Sequence, residues 1–302
     1  MSEPLHRVVV TGASGFVGRA LLGQIAATVD TISFGAADWR TRLDSAHLEG
    51  ATIFHLAARV HQPRGGDEDE FDEDNAGKTR VLAEEAAREG AHRLVFLSSI
   101  KVNGEETAAH PFTPADFPVP EDAYGRSKLA AERALAEIAA DTGLAFTIVR
   151  PPLVFGAGAR ANLGAIVRLA DSPWPLPFAR LHAPRSFIHV DDLARLLVAC
   201  AESPQAAGKT YIAAHPQPFS VALLVARLRI ALGRKPRLWE FDPGLLERMA
   251  ALAGQGARVR RLTRPLLCDP SAAERELGWI ARVPIDQAVE ELVRDYRARG
   301  GN

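Results

Sequence analysis

The sequence predicts an α/β fold: a doubly wound parallel sheet with a smaller C-terminal lobe. Three observations carry this. Short apolar runs alternate with helical patterns through the first 150 residues. Those runs are apolar throughout rather than at every second position. A glycine-rich turn joins the first run to the first helix. A strand that is apolar on both faces needs cover on both, and helices crossing between parallel strands supply it. Right-handed crossovers then give a doubly wound sheet.

The elements come in order along the chain. Arg7-Val8-Val9-Val10 reads as a short buried strand, and Gly15 to Ala27 has a helical rhythm at Phe16, Ala20, Leu21 and Ile25. Thr31-Ile32-Ser33-Phe34 is the second strand expected, and Thr52 to Leu56 the third, bounded by Gly50 and Ala57-Ala58. A long helix is expected from about Glu70 to Arg88, closed by Gly90. Then come a strand at Arg93–Leu97, a helix from about Ala123 to Ala140, and a strand at Phe146–Val149. Beyond Arg150, the prolines Pro151, Pro152, Pro173, Pro175, Pro177 and Pro184 mark an irregular stretch. A strand at Phe187–Val190 and a helix from Asp191 to Ala201 are expected to return to the main sheet. The last ninety residues read as helix-rich with short strands.

Composition narrows the function. The 302 residues are 47% hydrophobic and 24% charged, ordinary for a soluble globular protein, with a net charge of −1. A nucleic-acid binder usually carries a strong basic excess, so that class is not expected. The two cysteines, Cys200 and Cys268, lie far apart and without metal-ligand spacing. A structural zinc or a disulfide framework is not expected, and a reducing cytoplasm fits. The opening Met1-Ser2-Glu3-Pro4 does not read as a leader, and no apolar run is long enough to span a bilayer.

Thr11-Gly12-Ala13-Ser14-Gly15-Phe16-Val17-Gly18 sits between the first strand and the first helix. Gly12 permits a tight turn, Gly15 lets the backbone approach a pyrophosphate at the helix N-terminus, and Gly18 lets helix and strand pack closely. The alternative is a plain glycine-rich surface turn. After the second strand, Asp38 could reach an adenosine, or Arg40 could meet a 2′-phosphate, which leaves NAD and NADP both open.

Tyr124 and Lys128 stand at i and i+4, one face of a helix. A nearby ammonium favours phenolate, so Lys128 should lower the tyrosine pKa toward working pH and poise it for proton transfer. The bland alternative is a solvated helix face with a snorkelling lysine.

In this order the motifs resemble the extended short-chain dehydrogenase/reductase family, in its nucleotide-sugar epimerase/dehydratase branch, over nearly the whole chain. The turn Thr11–Gly18 matches. His55-Leu56-Ala57-Ala58 resembles the strand end that lies along the cofactor, and Asn75 to Thr79 resembles the family's asparagine-containing helix segment. Leu97-Ser98-Ser99 through Gly104 resembles the strand end with the catalytic hydroxyl, and Tyr124 and Lys128 match the catalytic pair. Arg150-Pro151-Pro152, Arg185-Ser186-Phe187 and Leu277-Gly278-Trp279 match later signatures.

The resemblance implies a Rossmann-like domain at 1–155, with 186–213 returning to it, and a substrate-binding lobe at 156–185 and 214–302. It implies NAD or NADP held by Gly12, Ser14, Gly15, Phe16, Val17, Gly18, Asp38, Trp39, Leu56, Ala57, Ala58, Asn75, Ser98, Tyr124, Lys128 and Pro151. Ser99, Tyr124 and Lys128 are the expected catalytic residues. Ser99, Asn162 and Arg185 are expected on a UDP-linked sugar, with no metal. It also implies a homodimer through the helix at 123–140 and the long helix before it.

Within that family, a 4,6-dehydratase has an Asp-Glu pair directly after the active-site hydroxyl residue. Ile100-Lys101 stands there instead, so dehydration is not expected. Two readings stay open, a C4 epimerase and a one-way UDP-4-keto-6-deoxy-sugar 4-reductase. Asn103, where epimerases commonly have tyrosine before the glycine, favours the second. A non-catalytic dinucleotide-binding redox sensor is a third. Arg59 and His61 could face the pocket, and His189 reads as structural. The acidic run Asp67–Asp74 reads as a solvated rim, and the basic cluster Arg258, Arg260, Arg261 and Arg264 as a solvated helix face or an attraction to an anionic surface.

Overall fold

The computed structural model describes residues 4–60, 68–159 and 162–300, without the side chain of Asn162. His61, Arg160 and Ala161 lie outside the described residues, and so does the expected contact of the Asn162 side chain with substrate.

The first half is a strict alternation. It runs β1 (Arg7–Thr11), α1 (Phe16–Leu22), β2 (Thr28–Ile32), α2 (Trp39–Asp44) and β3 (Thr52–His55). A helical stretch comes next as α3 (Glu68–Phe71), a π-helical turn (Asp72–Gly77) and α4 (Lys78–Arg88). Then come β4 (Arg93–Leu97), α5 (Ala123–Thr142) and β5 (Phe146–Arg150). After β6 (Leu153–Phe155) come α6 (Asn162–Ala170), β7 (Pro184–Arg185), β8 (Phe187–His189) and α7 (Val190–Glu202). The chain ends through β9 (Lys209–Ile212), β10 (Phe219–Ser220), α8 (Val221–Ala231), α9 (Pro243–Leu252), α10 (Gly256–Thr263), α11 (Ser271–Leu277) and α12 (Ile285–Ala298).

The main sheet has six parallel strands in the order β2-β1-β3-β4-β5-β9. Val8, Val9, Val10, Ile53, Phe54, Leu94, Val95 and Phe96 are fully buried, as all-apolar central strands require. One face carries α1 and α7, with Leu193, Leu196, Leu197 and Cys200 packed on Val8, Val10 and Val95. The other carries α4 and α5, with Leu82, Ala86, Leu135 and Ile138 packed on Val9, Ile53 and Phe96. A separate core of Phe155, Phe178, Phe187, Phe219, Leu228 and Leu292 lies among α6, α8 and α12.

Two expectations need correction. The second strand lies at Thr28–Ile32, three residues earlier than its apolar end suggested, because it pairs residue for residue with β1 from Arg7↔Thr28. The strand at 187–189 does not return to the main sheet. It pairs with β6, and β9 adds the sixth strand beside β5. Helix α7 does return, packing on the β1 face.

Chain order reverses between β1 and β3: the chain leaves β1 for β2 on one side and comes back to β3 on the other. The carboxyl ends of these two strands flank the crevice in which doubly wound sheets bind ligands.

Candidate active site

The glycine turn lies at that switch point. Gly12 has φ +73°, a conformation that suits glycine, and a Cβ there would stand 2.7 Å from the Ala57 nitrogen. The turn is therefore pressed against Leu56-Ala57 at the end of β3. A Cβ on Gly18 would stand 2.3 Å from the Gly12 carbonyl oxygen, so only glycine lets α1 pack here. Gly15 donates to the Gly12 oxygen at 2.9 Å and begins α1 with no side-chain cap, which leaves first-turn N–H groups for an anion. Ser14 and Gly15 are exposed at the mouth of this cradle. The turn fits a bound pyrophosphate.

Behind the turn runs a chain of buried hydrogen bonds. Thr11 Oγ1 lies 2.6 Å from His55 Nδ1, and His55 Nε2 lies 2.9 Å from Thr79 Oγ1. Thr79 Oγ1 donates to the Asn75 carbonyl at 2.5 Å. The Thr79 proton is thus committed, so His55 Nε2–H donates to Thr79 and Nδ1 accepts from Thr11. Burial drives the His55 pKa down to about 3, with the Lys128 charge adding to the effect, so the ring is neutral at ordinary pH. The Asn75 side chain donates to Ser127 Oγ at 2.9 Å and to the Arg59 carbonyl at 3.1 Å, and accepts from the Arg59 amide at 2.8 Å. Ser127 in turn donates to the Tyr124 carbonyl at 2.9 Å. Asn75, placed among the cofactor contacts by its motif, spends its amide on tying the end of β3 to α5.

Asp122 caps α5 by accepting from the Gly125 amide at 2.8 Å, which fixes where Tyr124 begins the helix. The Ser99 side chain acts on the Tyr124 phenol, favouring its ionised form. Ser99 Oγ also accepts from the Lys101 amide at 3.3 Å. One turn on, Lys128 is buried, its ammonium 4.0 Å from the centre of the Phe96 ring. A further turn brings Glu132. Its carboxylate accepts from Ser98 Oγ at 2.5 Å and from Arg150 Nε at 2.9 Å and Nη2 at 2.5 Å. Arg150 also donates to Asn103 Oδ1 at 3.1 Å. Thus Tyr124, Lys128 and Glu132 at i, i+4 and i+8 meet the end of β4 along one helix face.

The electrostatics correct one expectation. The Tyr124 pKa is not lowered in the protein alone. Burial pushes it up to about 12 and the Asp122 carboxylate adds to this, while the Ser99 side chain pulls the other way. Lys128 yields instead: burial takes it down to about 7, against the opposite pull of Glu132.

Arg185 projects toward the same region from β7. It donates to the Arg264 carbonyl at 2.6 Å and has no salt bridge among the described residues. Burial lowers its pKa to about 10 despite the pull of Glu105, so its remaining donors suit an anionic group. Between it and Tyr124 lies a charged cluster. Lys101 binds Asp122, and Glu105 at 2.9 Å; Arg261 grips Glu105 at 2.6 and 2.7 Å and reaches Asp122 at 3.4 Å.

The remaining expected residues have these contacts in the protein alone. Asp38 caps nothing and pairs with Arg42 at 2.8 Å on the surface. Trp39 packs at a tilt against Phe34, ring centres 5.3 Å apart, with the charged ends of Arg40 and Lys78 within 5.8 and 5.4 Å of its ring. Arg59 turns to Asp74 and Glu70, at 2.6 and 3.2 Å, so part of the acidic run is an ion-pair network rather than a solvated rim. Pro151 accepts from the Ile100 amide at 2.9 Å and anchors the serine turn. Sequence reasoning missed Thr11, Thr79, Ser127, Asp122 and Glu132, and read Arg261 as solvated. The i+8 spacing of Glu132 was the available signal.

The NAD dependent epimerase/dehydratase family matches this chain over residues 8–214. The chain belongs to this family. A UDP-glucose 4-epimerase of Vibrio cholerae is 32% identical over 90% of each chain. A UDP-2-acetamido-2,6-beta-L-arabino-hexul-4-ose reductase of Pseudomonas aeruginosa is 29% identical over 63% of this chain and 48% of its own. Among solved structures, a Thermotoga maritima UDP-glucose 4-epimerase with UDP-glucose superposes with a TM-score of 0.78 at 19% identity, covering 97% and 99% of the two chains. That last likeness is one of fold. The sequence-level resemblance and the Rossmann-like sheet agree with the family.

Proposed function

We propose that the protein is an NAD(P)-dependent enzyme acting at C4 of a UDP-linked hexose, as an epimerase. The observation that carries this is Tyr124 one turn before the buried Lys128 on α5, with Ser99 at the carboxyl end of β4 acting on the phenol. When bound, the nicotinamide takes up and returns a hydride at the sugar carbon. The turn Gly12–Gly18 and the Leu56–Ala58 strand end would hold the dinucleotide. Ser99 would hydrogen-bond the C4 oxygen, and Tyr124 would move the proton of that oxygen. Lys128 would supply positive charge behind the phenol, and Arg185 would hold the diphosphate through its free donors. The protein would act as a homodimer through α4 and α5, which sedimentation can check.

A second reading is the one-way reduction of a UDP-4-keto-6-deoxy sugar. Asn103 favours it. Its side chain is buried against Arg150 and the Thr113 carbonyl, and so offers nothing to a rotating sugar. A phenol that is fully protonated at neutral pH also suits proton donation to a ketone.

The experiment is incubation with UDP-glucose or UDP-N-acetylglucosamine and NAD⁺ far below the sugar concentration. Conversion to the 4-epimer beyond the added cofactor supports epimerisation. No conversion by protein that binds cofactor, together with NAD(P)H oxidation by a UDP-4-keto-6-deoxy sugar, supports reduction. Tyr124→Phe should lower either turnover by about 10²–10⁴-fold while cofactor binding persists. Cofactor binding with no turnover of either kind, unchanged by Tyr124→Phe, would favour a non-catalytic dinucleotide sensor.

A further inference from the structure

Helices α9 and α10 form a hairpin whose outer face no part of the described chain covers. Neither helix has a buried residue. Their inner side is held by Leu246 and Leu262, which pack on the core of the lobe. On the outer side, Leu245, Met249 and Leu252 stand at i, i+4 and i+7 of α9, one face of the helix. Leu252 is 92% exposed, and Met249 is 55% exposed. The turn after α9 is small and open: Ala253, Gly254, Gln255 and Ala257 are all exposed. Gly254 takes φ +68°, and Gly256 lets the two helices close, since a Cβ there would meet Ala251 at 3.3 Å.

The charge of this hairpin differs from that of the molecule. The chain as a whole has a net charge of −1, yet residues 243–264 carry five arginines and one carboxylate, Glu247. Arg264 neutralises Glu247 at 2.9 Å and Arg261 is used inward on Glu105. Arg248, Arg258 and Arg260 are exposed and form no salt bridge among the described residues; Arg260 exerts a longer-range pull on Glu247. Arg258 donates to Gln255 at the hairpin tip. An apolar tip ringed by arginines without salt bridges matches a surface that is anionic outside and apolar a few ångströms below.

We propose that the α9–α10 hairpin docks the protein on anionic membrane surfaces, with Leu252 and Met249 entering the headgroup layer and Arg248, Arg258 and Arg260 meeting lipid phosphates. This is peripheral binding. No helix among the described residues is long and apolar enough to cross a membrane. Helix α10 also carries Arg261 to Glu105 beside the site, so the docking helix contacts the site region directly.

The test is flotation of the full chain with vesicles of phosphatidylcholine alone and of phosphatidylcholine with phosphatidylglycerol. The protein should float with the anionic vesicles and not with the neutral ones, and added salt should release it. Replacing Arg258 and Arg260 by alanine should weaken binding about fivefold per arginine. Leu252→Glu should abolish it. These positions lie outside the catalytic machinery, so turnover of soluble substrate should be unchanged, which shows that the variants fold. Failure of the wild type to float with anionic vesicles would overturn the proposal, as would equal flotation of Leu252→Glu. Self-association in lipid-free buffer that Leu252→Glu abolishes, with no vesicle binding, would make this face a contact between copies instead.

Discussion

The two walls of the site are built in opposite ways. The cofactor wall, from Thr11 through His55, Thr79, Asn75 and Ser127, is a chain of neutral, buried hydrogen bonds behind a backbone turn. The opposite wall, with Lys101, Glu105, Asp122, Arg261 and Arg185, proposed above to meet the substrate, is made of charges that are partly open to water. Neutral groups in a dry interior are held by geometry, and each must find its partner there. Partly exposed charges are screened and replaceable, and they leave room for a charged ligand. The difference fits a rigidly held coenzyme on one side and an adjustable sugar site on the other.

Four substitutions probe the difference between the two walls. Gly18→Val places side-chain atoms within the Gly12 carbonyl's van der Waals shell. Titration with NAD⁺ should then detect no binding, and retained binding would mean that the turn yields to the added side chain. Glu132→Ala strands a buried Arg150 between the two walls, and urea unfolding should show a loss of about 3–5 kcal/mol.

Lys128→Met removes a buried charge at the junction. In the folded chain Lys128 ionises near 7, against 10.5 for a free lysine. Between those values the unfolded state binds more protons, so wild-type stability should rise with pH through this window. The gain in melting temperature from Lys128→Met should be largest below about pH 7 and fade as pH rises toward 10.5. A gain independent of pH would contradict the burial of the charge. Arg261→Ala should have the smallest effect on stability, about 1 kcal/mol, diminished by salt. Its substrate KM should rise while cofactor affinity stays the same.

Much of the cofactor wall is legible in the sequence because its signals are local. The turn Gly12–Gly18 needs glycine for reasons confined to a few residues, and all-apolar strands announce burial. Tyr124 and Lys128 share a helix face by spacing alone. The parts that are not legible depend on tertiary partners. The strand at 187–189 is as apolar as a main-sheet strand, and nothing local says that β6 will claim it. Asn75 is polar in either role, and its partners Arg59 and Ser127 are 16 and 52 residues away. The tyrosine pKa escapes a reading from spacing because burial and the Asp122 carboxylate raise it, and the downward pull comes from Ser99 rather than from Lys128.

The π-helical turn at 72–77 has a consequence for how this helix tolerates change in length. Between α3 and α4 it holds one residue more than regular winding needs. Deleting a residue there would improve the helix as a helix, restoring continuous α-helical bonding. It would also rotate the segment before the deletion by about 100° relative to the segment after it. A deletion between Asn75 and Thr79, which now face Arg59 and His55 together, would put the two out of phase. A gain in local regularity would come at the expense of the register between two strands and the catalytic helix, so this irregular turn is best understood as a spacer set to length.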